Sequence, residues 1–508
     1  MRSIVFRTAA HTGLSHASRR PVTHASKFIT HFSRNLSATP ARYEEERKWS
    51  TPLAKQLTEA INTTGPIPLA SYMRMCLTSD IGGYYTGAIE AGRDQFGRKG
   101  DFITSPEISQ VFGELIGIWF VAEWMSQGRP TSGVELIEVG PGRGTLMADI
   151  LRTTRNFRGL ASSIDCVYMV EASKELRMAQ KDLLCGTDAP LRETEEGWTS
   201  TAKYSEVPVV WTETIKDVPR DPTKTPFIVA HEFFDALPIH AFEVVKVSPT
   251  EQQQQPSEGE GSPSTSSKKP APTTQWREMV VSPTPEGTTH ADLGTPKSAQ
   301  HEPVSEFQLT LSPTQTRHSL YLPEMSPRYR ALKKTPGSLI EVCPDASLYA
   351  SEFASRIGGS KRHPKPLPSG AALILDYGPA DTIPTNSLRG IRQHRRVSPF
   401  SAPGLVDLSA DVDFMGIVEA ATHASPGVEC HGPVDQAHFL ESMGIAKRVK
   451  MLTKKAGDEA KKQEIEKAWK RLVARGPNGM GKVYKALAIL PENDGRRRPV
   501  GFGGDVVA

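Results

Sequence analysis

Three glycines separated by single residues follow an acidic residue in the stretch Glu138-Val-Gly-Pro-Gly-Arg-Gly-Thr-Leu146. The preceding run, Val134–Val139, has the length and β-branched composition of a strand, and apolar residues after Gly144 recur at helical spacing. A glycine turn between a strand and a helix lets bare backbone approach a nucleotide-like ligand beside a helix N-terminus. A plain tight turn is the alternative, but the agreement of strand, turn and helix favours ligand binding.

The spacing of Gly140, Gly142 and Gly144 distinguishes between kinds of ligand. Because Thr145 follows Gly144, the dinucleotide pattern G-x-G-x-x-G is not met, and no Gly-Lys-Ser/Thr of a phosphate loop follows. A carboxylate at Glu138 suits a cationic or amine-bearing ligand better than a pyrophosphate, which it would repel. The motif resembles the first motif of class I S-adenosylmethionine (SAM) methyltransferases. That resemblance implies a glycine loop beneath the amino-acid end and ribose of the ligand.

Two further residues are candidates for the same cofactor site. Glu171 ends the next predicted strand, Ile164–Val170, where an acid in nucleotide-binding α/β domains accepts hydrogen bonds from ribose hydroxyls. Its alternative role is that of an acid at the start of the predicted helix Lys174–Leu184. Trp211 ends the following strand and is a candidate to stack on an adenine, although a place in the core explains it equally well.

Two more acids follow a fourth buried strand, Pro226–Ala230, in the segment His231-Glu-Phe-Phe-Asp-Ala-Leu-Pro238. The carboxyl ends of the strands in an open α/β sheet face one crevice, so this segment should lie near the glycine turn. Glu232 and Asp235 are therefore the candidates to hold a cationic substrate, with helix capping as the open alternative for Asp235. The polar loop Gly100–Ser105 is a candidate lid, and helix capping is again the alternative.

The elements around these residues predict an α/β fold with a disordered insertion. The resemblance to class I SAM methyltransferases implies that its sheet is Rossmann-like. Two helices are expected within residues 52–78, and one long amphipathic helix from Ser105 through Met125. The predicted segments are an N-terminal helical region (50–130), a SAM-binding core (131–247), a polar disordered insertion (248–275), the remainder of the methyltransferase domain with the accessory lobe (276–490) and a C-terminal tail (491–508).

The N-terminus has the composition of a mitochondrial transit peptide. No Asp or Glu precedes Glu44, whereas basic residues, Ser, Thr, Ala and His are frequent. Cleavage after Leu36 would remove residues 1–36 with six basic side chains, so that the net charge of +4 would fall to −2. A disordered basic N-terminus is the alternative. We expect a location in the mitochondrial matrix, and the charge gives no reason to expect a nucleic-acid partner.

Several other features are absent from the sequence. No apolar run approaches the roughly 20 residues that span a membrane. The five cysteines form no C-x-x-C pair and the histidines no H-x-x-x-H pair, so we predict reduced thiols and no metal site. The oligomeric state stays open.

Taken together, the motifs resemble the MidA-type family of mitochondrial methyltransferases that assist assembly of respiratory complex I. The resemblance covers about residues 50–490 apart from the insertion, and it rests on these segments in order: Gly100–Glu114, Glu138–Leu146, Glu232–Pro238, Ile374–Gly378, Arg389–His394 and Met480-Gly481. It implies a class I SAM-methyltransferase fold with an additional helical lobe, SAM as cofactor, and symmetric dimethylation of an arginine on a core complex I subunit. His231 departs from the family, which usually has Asn there.

The sequence is also compatible with other functions. One alternative is a methyltransferase for another protein residue or a small molecule, and a second is a non-catalytic assembly chaperone that has kept the fold. An intact Glu138, glycine triad and Glu171 argue against the chaperone. A dehydrogenase is the weakest alternative, because the glycine spacing is wrong for a dinucleotide.

Overall fold

The computed structural model describes residues 47–87, 100–247 and 273–503. From Trp49 onward these residues form one compact unit. The predicted transit peptide and most of the predicted insertion lie outside the described residues. The last three residues of that insertion, Thr273–Gln275, are not disordered but begin a long strand, which pairs with residues 245–247 and leads into the buried Trp276.

The described residues contain seventeen strands, here numbered in chain order. They are β1 Ile67–Pro68, β2 Val134–Val139, β3 Ile164–Val170, β4 Arg192–Thr194, β5 Gly197–Thr201, β6 Pro208–Thr212, β7 Thr225–His231, β8 His240–Val247, β9 Thr273–Pro283, β10 Phe307–Leu311, β11 Leu339–Val342, β12 Ala371–Tyr377, β13 Arg389–Arg392, β14 Arg395–Val397, β15 Asp407–Ser409, β16 Val428–Asp435 and β17 Tyr484–Pro491.

Fourteen α-helices accompany these strands in the same ranges. They are α1 Pro52–Thr64, α2 Leu69–Thr78, α3 Ser105–Ile108, α4 Gln110–Ser126, α5 Thr145–Thr154, α6 Arg158–Ser163, α7 Lys174–Leu184, α8 Arg317–Tyr321, α9 Pro327–Leu332, α10 Pro344–Gly358, α11 Phe414–Ala424, α12 Gln436–Ser442, α13 Ile445–Lys455 and α14 Glu459–Val473. None of the described helices is both long and apolar enough to cross a bilayer.

A nine-stranded sheet forms the centre of the molecule, in the order β16-β17-β12-β7-β2-β3-β6-β5-β4. The five strands from β12 to β6 are parallel, and antiparallel strands extend both edges. All residues of β2, β7 and β12 are buried, as expected for parallel strands covered on both faces. The carboxyl ends of β2, β3 and β7 therefore meet at one edge, where the glycine turn and the 231–238 segment lie.

The predicted long helix from Ser105 to Met125 is wrong in one respect, because it consists of two helices. Ser109 between α3 and α4 has an extended backbone (φ −154°, ψ 123°), and its hydroxyl accepts a hydrogen bond from the N–H of Val111. The serine thus caps α4 instead of continuing α3. The short α3 has its own capping box, formed by Thr104 and Glu107.

The accessory lobe contains the two predicted N-terminal helices and a five-stranded antiparallel sheet in addition. In this sheet β1, β9, β8 and β11 follow one another, and β10 pairs with the free side of β9. Helices α1 and α2 pack on it through a common apolar core that includes Leu57, Tyr72, Val281 and Phe307. A small three-stranded sheet, β14-β13-β15, joins the same core through Leu408.

Candidate functional site

A cavity of about 360 Å³ lies at the carboxyl ends of β2, β3 and β7. The glycine turn and the end of β3 form one part of its wall, and the 231–238 segment forms another. The accessory lobe covers it with residues from α2 and from the loop before α3, among them Phe102 and Thr104. The cavity has the volume of a small-molecule site and lies where ligands bind open α/β sheets.

The glycine turn has a left-handed backbone at all three glycines, with φ values of 66° at Gly140, 51° at Gly142 and 79° at Gly144. Gly140 and Gly142 line the cavity. A Cβ on Gly140 would lie 2.5 Å from the ring of Phe233, so this position needs glycine both for its conformation and for the packing of the 231–238 segment. Gly144 is not among the lining residues; it begins α5 and packs against Gln180.

Glu138 lies below the turn with only 2% of its surface exposed, and it lines the cavity. Its Oε2 atom has no hydrogen-bond partner among the described residues. Burial raises the pKa of this carboxyl well above its usual range, and the nearby carboxylates of Asp149 and Glu171 raise it further. A buried, unpaired carboxylate oxygen facing a cavity favours a ligand that carries a positive charge or N–H donors.

Glu171 also lines the cavity, and burial raises its pKa to about 7. Its Oε1 accepts a hydrogen bond of 2.8 Å from the N–H of Ser173, which caps α7. Its Oε2 accepts a hydrogen bond of 3.1 Å from the side-chain amide of Gln180. Glu171 therefore contacts the start of α7, as the alternative interpretation expected, and also faces the cavity.

The prediction that Trp211 stacks on an adenine is wrong, because its indole is fully buried in the core and is not part of the cavity wall. The indole N–H instead donates to Oε1 of Gln180 at 2.9 Å. The amide of Gln180 donates in turn to the carbonyl of Gly142 at 2.6 Å and to Glu171.

Sequence reasoning did not identify Gln180, although this side chain connects the strand, the turn and the acid of the site. It is fully buried on the inner face of α7, between Arg177 and Leu184. The only available signal was a polar residue at a helix position that faces the sheet. Such a residue must satisfy its amide groups inside the protein.

Glu232 lines the cavity, with a side chain that is 12% exposed. Its backbone has a φ of 50°, unusual for a residue with a Cβ, and its N–H donates to the carbonyl of Leu375. Its Oε1 lies 3.4 Å from the backbone nitrogen of Ser105 and 3.4 Å from Nε2 of His231. Burial raises its pKa well above the usual range, and the carboxylates of Asp235 and Glu107 raise it further.

His231 has no hydrogen-bond partner for its Nε2 atom within the described ranges, and burial lowers its pKa to about 3. The imidazole at the position of the family's Asn is therefore neutral at pH 7 and contributes an uncharged nitrogen beside the Glu232 carboxyl. It packs edge-on against Phe112 of α4.

Asp235 does not share the cavity wall with Glu232, contrary to the prediction that both contact the substrate. Asp235 is 7% exposed and lies behind the 231–238 segment. Burial raises the pKa of its carboxyl, and Tyr377 and Arg389 counteract this rise. Burial of Asp235 follows from the single 3₁₀ turn Phe234–Ala236, which directs its side chain away from the cavity.

The buried Asp376, at the end of β12, holds the 231–238 segment in place. Its Oδ2 accepts hydrogen bonds from three consecutive backbone N–H groups, those of Phe233 at 3.1 Å, Phe234 at 2.8 Å and Asp235 at 3.3 Å. A carboxylate that satisfies three buried donors stabilises one backbone conformation. Asp376 therefore positions Glu232 without lining the cavity.

The loop Gly100–Ser105 covers the site, as expected of the candidate lid, and it also caps α3. Phe102, Thr104 and Glu107 face the cavity. The loop is attached at Asp101, whose carboxylate accepts hydrogen bonds from the Tyr84 hydroxyl and from the backbone N–H of Gln393.

Comparison with known proteins identifies the family. Residues 115–434 match the family model described as "Putative S-adenosyl-L-methionine-dependent methyltransferase". The chain belongs to this family. Its cofactor is SAM, which confirms the prediction made from the glycine turn, and its membership confirms the resemblance to MidA-type methyltransferases.

Curated relatives extend over most of the chain. The mitochondrial protein arginine methyltransferase NDUFAF7 of Rattus norvegicus is 35% identical over 87% of this chain and 85% of its own length. The protein of the same name from Homo sapiens is 34% identical, over 87% and 84% respectively. The Drosophila melanogaster homologue is 35% identical, over 86% and 85%. These relatives are named as mitochondrial, in agreement with the predicted location of this chain in mitochondria.

A solved structure confirms the fold. A COG1565 superfamily protein from Burkholderia thailandensis, whose crystal structure contains bound S-adenosyl-homocysteine, superposes with a TM-score of 0.58. It is 22% identical, and the match covers 89% of this chain and 92% of that one. The mixed α/β fold of this chain is thus shared with that solved structure.

Proposed function

We propose that this methyltransferase dimethylates an arginine of a core complex I subunit symmetrically, in the mitochondrial matrix. Two lines support the substrate class. Relatives that share about a third of its residues are named protein arginine methyltransferases, and the acidic inner wall of the cavity suits a guanidinium. The complex I subunit and the symmetric product come from what the MidA-type resemblance implies.

The side chains of the glycine-turn wall fit SAM. Glu138 offers a buried oxygen without a partner, and Glu171 offers carboxylate oxygens at the end of β3. We assign Glu138 and the backbone of Gly140 and Gly142 to the amino-acid end of SAM, and Glu171 to its ribose hydroxyls. SAM supplies a methyl group bound to a sulfonium, which is a strong leaving group. The protein must therefore chiefly position the methyl acceptor.

The observation that carries the substrate assignment is Glu232, a carboxyl on the cavity wall among other acids. The pKa of this carboxyl is raised by burial and by the carboxylates of Asp235, Glu107 and Asp407. A guanidinium placed against Glu232 would relieve the repulsion among these acids, and its N–H groups match a carboxylate. Neutral acceptors give no such gain, so the site selects for a cation.

Glu232 also has the properties required to receive a proton. An arginine nitrogen that gains a methyl group must lose a proton, and a carboxyl with a raised pKa is a better base than an ordinary one. Burial lowers the pKa of His231, 3.4 Å from Glu232, to about 3, so this imidazole stays neutral and does not compete with Glu232 for that proton. Asp235 and Asp376 act through the backbone and electrostatics of the segment, so we class them as positioning residues.

Product analysis tests this proposal. The purified protein is incubated with isotopically labelled SAM and complex I subunits from mitochondria that lack the enzyme, and the labelled residue is mapped by mass spectrometry. Symmetric dimethylarginine on a core subunit is the expected product. Label on a different residue type or on a small molecule would refute the substrate assignment while leaving the methyltransferase activity intact. If complex I assembled with the protein present but without any methyl transfer, the protein would be a non-catalytic assembly chaperone.

A further inference from the structure

Three side chains of metal-ligand type converge on the accessory sheet, away from the cavity. His240 is the first residue of β8, Glu278 lies in β9, and His318 lies in α8. Phe242 and Glu278 are cross-strand partners, so His240, two residues before Phe242, projects from the same face as Glu278. Helix α8 then places His318 over that face. None of the three residues lines the cavity.

The ligand atoms of this group lie close together. Nδ1 of His240 is 2.7 Å from Oε1 of Glu278, and Nδ1 of His318 is 3.2 Å from Oε2 of the same carboxylate. The two imidazole rings are adjacent, with centroids 4.3 Å apart, and one ligand atom from each residue lies within 4.8 Å of the others. Ligand atoms on a tetrahedral zinc ion with bonds of about 2.0–2.1 Å are separated by about 3.3 Å. Small side-chain movements therefore suffice to enclose an ion.

Burial and access also suit an ion. Glu278 is fully buried, the side chain of His240 is 10% exposed and that of His318 is 45% exposed. The charged Glu278 carboxylate thus lies buried at the bottom of the site, and the His318 side is open to solvent. This opening leaves a position for a water ligand. The hydroxyl of Thr316 donates to Oε2 of Glu278, an outer contact that orients the carboxylate.

We infer that His240, Glu278 and His318 form a zinc-binding site that attaches α8 to the accessory sheet. Two imidazoles and one carboxylate favour Zn²⁺ over Mg²⁺ or Ca²⁺, which prefer oxygen ligands alone. The residues assigned to SAM and to the substrate are different ones, so an ion here would hold α8 on the sheet and would not take part in methyl transfer. The sequence-based prediction of no metal rested on the absence of closely spaced ligand pairs. Glu278 is 38 and 40 residues from the two histidines, so only the folded sheet unites them.

Metal binding by the full-length protein tests this inference. The protein is treated with a chelator, dialysed and titrated with Zn²⁺ by calorimetry, and its Tm is measured with and without Zn²⁺. We expect one Zn²⁺ per chain and a rise in Tm, with no comparable effect of Mg²⁺ at the same concentration. Binding that is absent, or equal for the two ions, would overturn the inference.

Matched variants locate the site. His318→Ala removes a half-exposed ligand and should weaken Zn²⁺ binding by more than the roughly 10–100-fold that loss of an outer contact costs. His301→Ala removes an exposed histidine outside the group and should leave binding unchanged. Circular dichroism and SAM binding report whether His318→Ala is folded. A folded His318→Ala protein that binds Zn²⁺ as tightly as the wild type would show that the ion binds elsewhere.

Discussion

The side-chain amide of Gln180 donates a hydrogen bond of 3.1 Å to the carboxylate of Glu171. The same nitrogen lies 2.6 Å from the carbonyl of Gly142, and the amide oxygen accepts from the indole of Trp211. One buried residue of α7 therefore sets the position of the acid that ends β3 relative to the glycine turn. The cofactor wall depends on this amide although the amide does not line the cavity.

Gln180→Leu should weaken SAM binding. The substitution keeps a side chain of similar size but leaves the Trp211 N–H and an oxygen of Glu171 without their partner. A buried polar group without a partner costs about 1–3 kcal/mol, so we expect a loss of roughly tenfold or more in affinity and a lower Tm. Calorimetry with SAM measures the first effect. Gln110→Leu, at an exposed position of α4, is the control. Equal SAM affinity in the Gln180 variant and the wild type would contradict the role of this amide.

Gly140→Ala should abolish methyl transfer, whereas Gly133→Ala should not. Both glycines have a left-handed backbone, with φ values of 66° and 80°, so each alanine incurs strain of about 1–2 kcal/mol. Only at Gly140 does the new Cβ meet a ring, at 2.5 Å from Phe233; at Gly133 the nearest atom is 3.7 Å away. Displacement of Phe233 would shift Glu232. Thermal unfolding measures the backbone strain in both variants, and initial rates of methyl transfer show whether Glu232 is displaced. Equal initial rates for the two variants would be inconsistent with this explanation.

The stability of the SAM-free protein should depend on Glu171. Its pKa is raised from 4.5 to about 7 by burial, so the folded state holds the proton more tightly than the unfolded chain. The contribution of Glu171 to the free energy of unfolding is therefore complete below about pH 4.5 and is lost as the pH rises to about 7. Denaturant unfolding across this range measures it. Glu171→Gln should flatten the pH dependence in that window, and an unchanged slope would show that another group titrates there.

The sequence predicted the central strands of the fold well, because parallel strands are buried on both faces and read as continuous apolar runs. β2 and β3 have the predicted bounds. Ser109 was harder, since a serine that caps a helix and one on a helix surface look alike until the backbone turns.

The site was predictable where a residue terminates a strand and unpredictable where a turn decides the direction of a side chain. Glu138, Glu171 and Glu232 all reached the cavity because the carboxyl ends of parallel strands share one edge. Asp235 and Trp211 did not, because a single 3₁₀ turn and the packing of β6 turn their side chains elsewhere. Gln180 acts from a helix face, where spacing alone does not mark a functional residue.

We propose that Glu232 holds the methyl-accepting guanidinium. The most direct measurement is the rate of arginine methylation by Glu232→Gln, compared with its SAM affinity. The amide keeps the shape of the side chain but removes the negative charge and the proton acceptor. We predict SAM binding within about twofold of the wild type and a loss of at least about 10²-fold in methyl transfer, as is typical when an acid–base group is removed. Methylation at the wild-type rate by a folded Glu232→Gln protein would contradict the account.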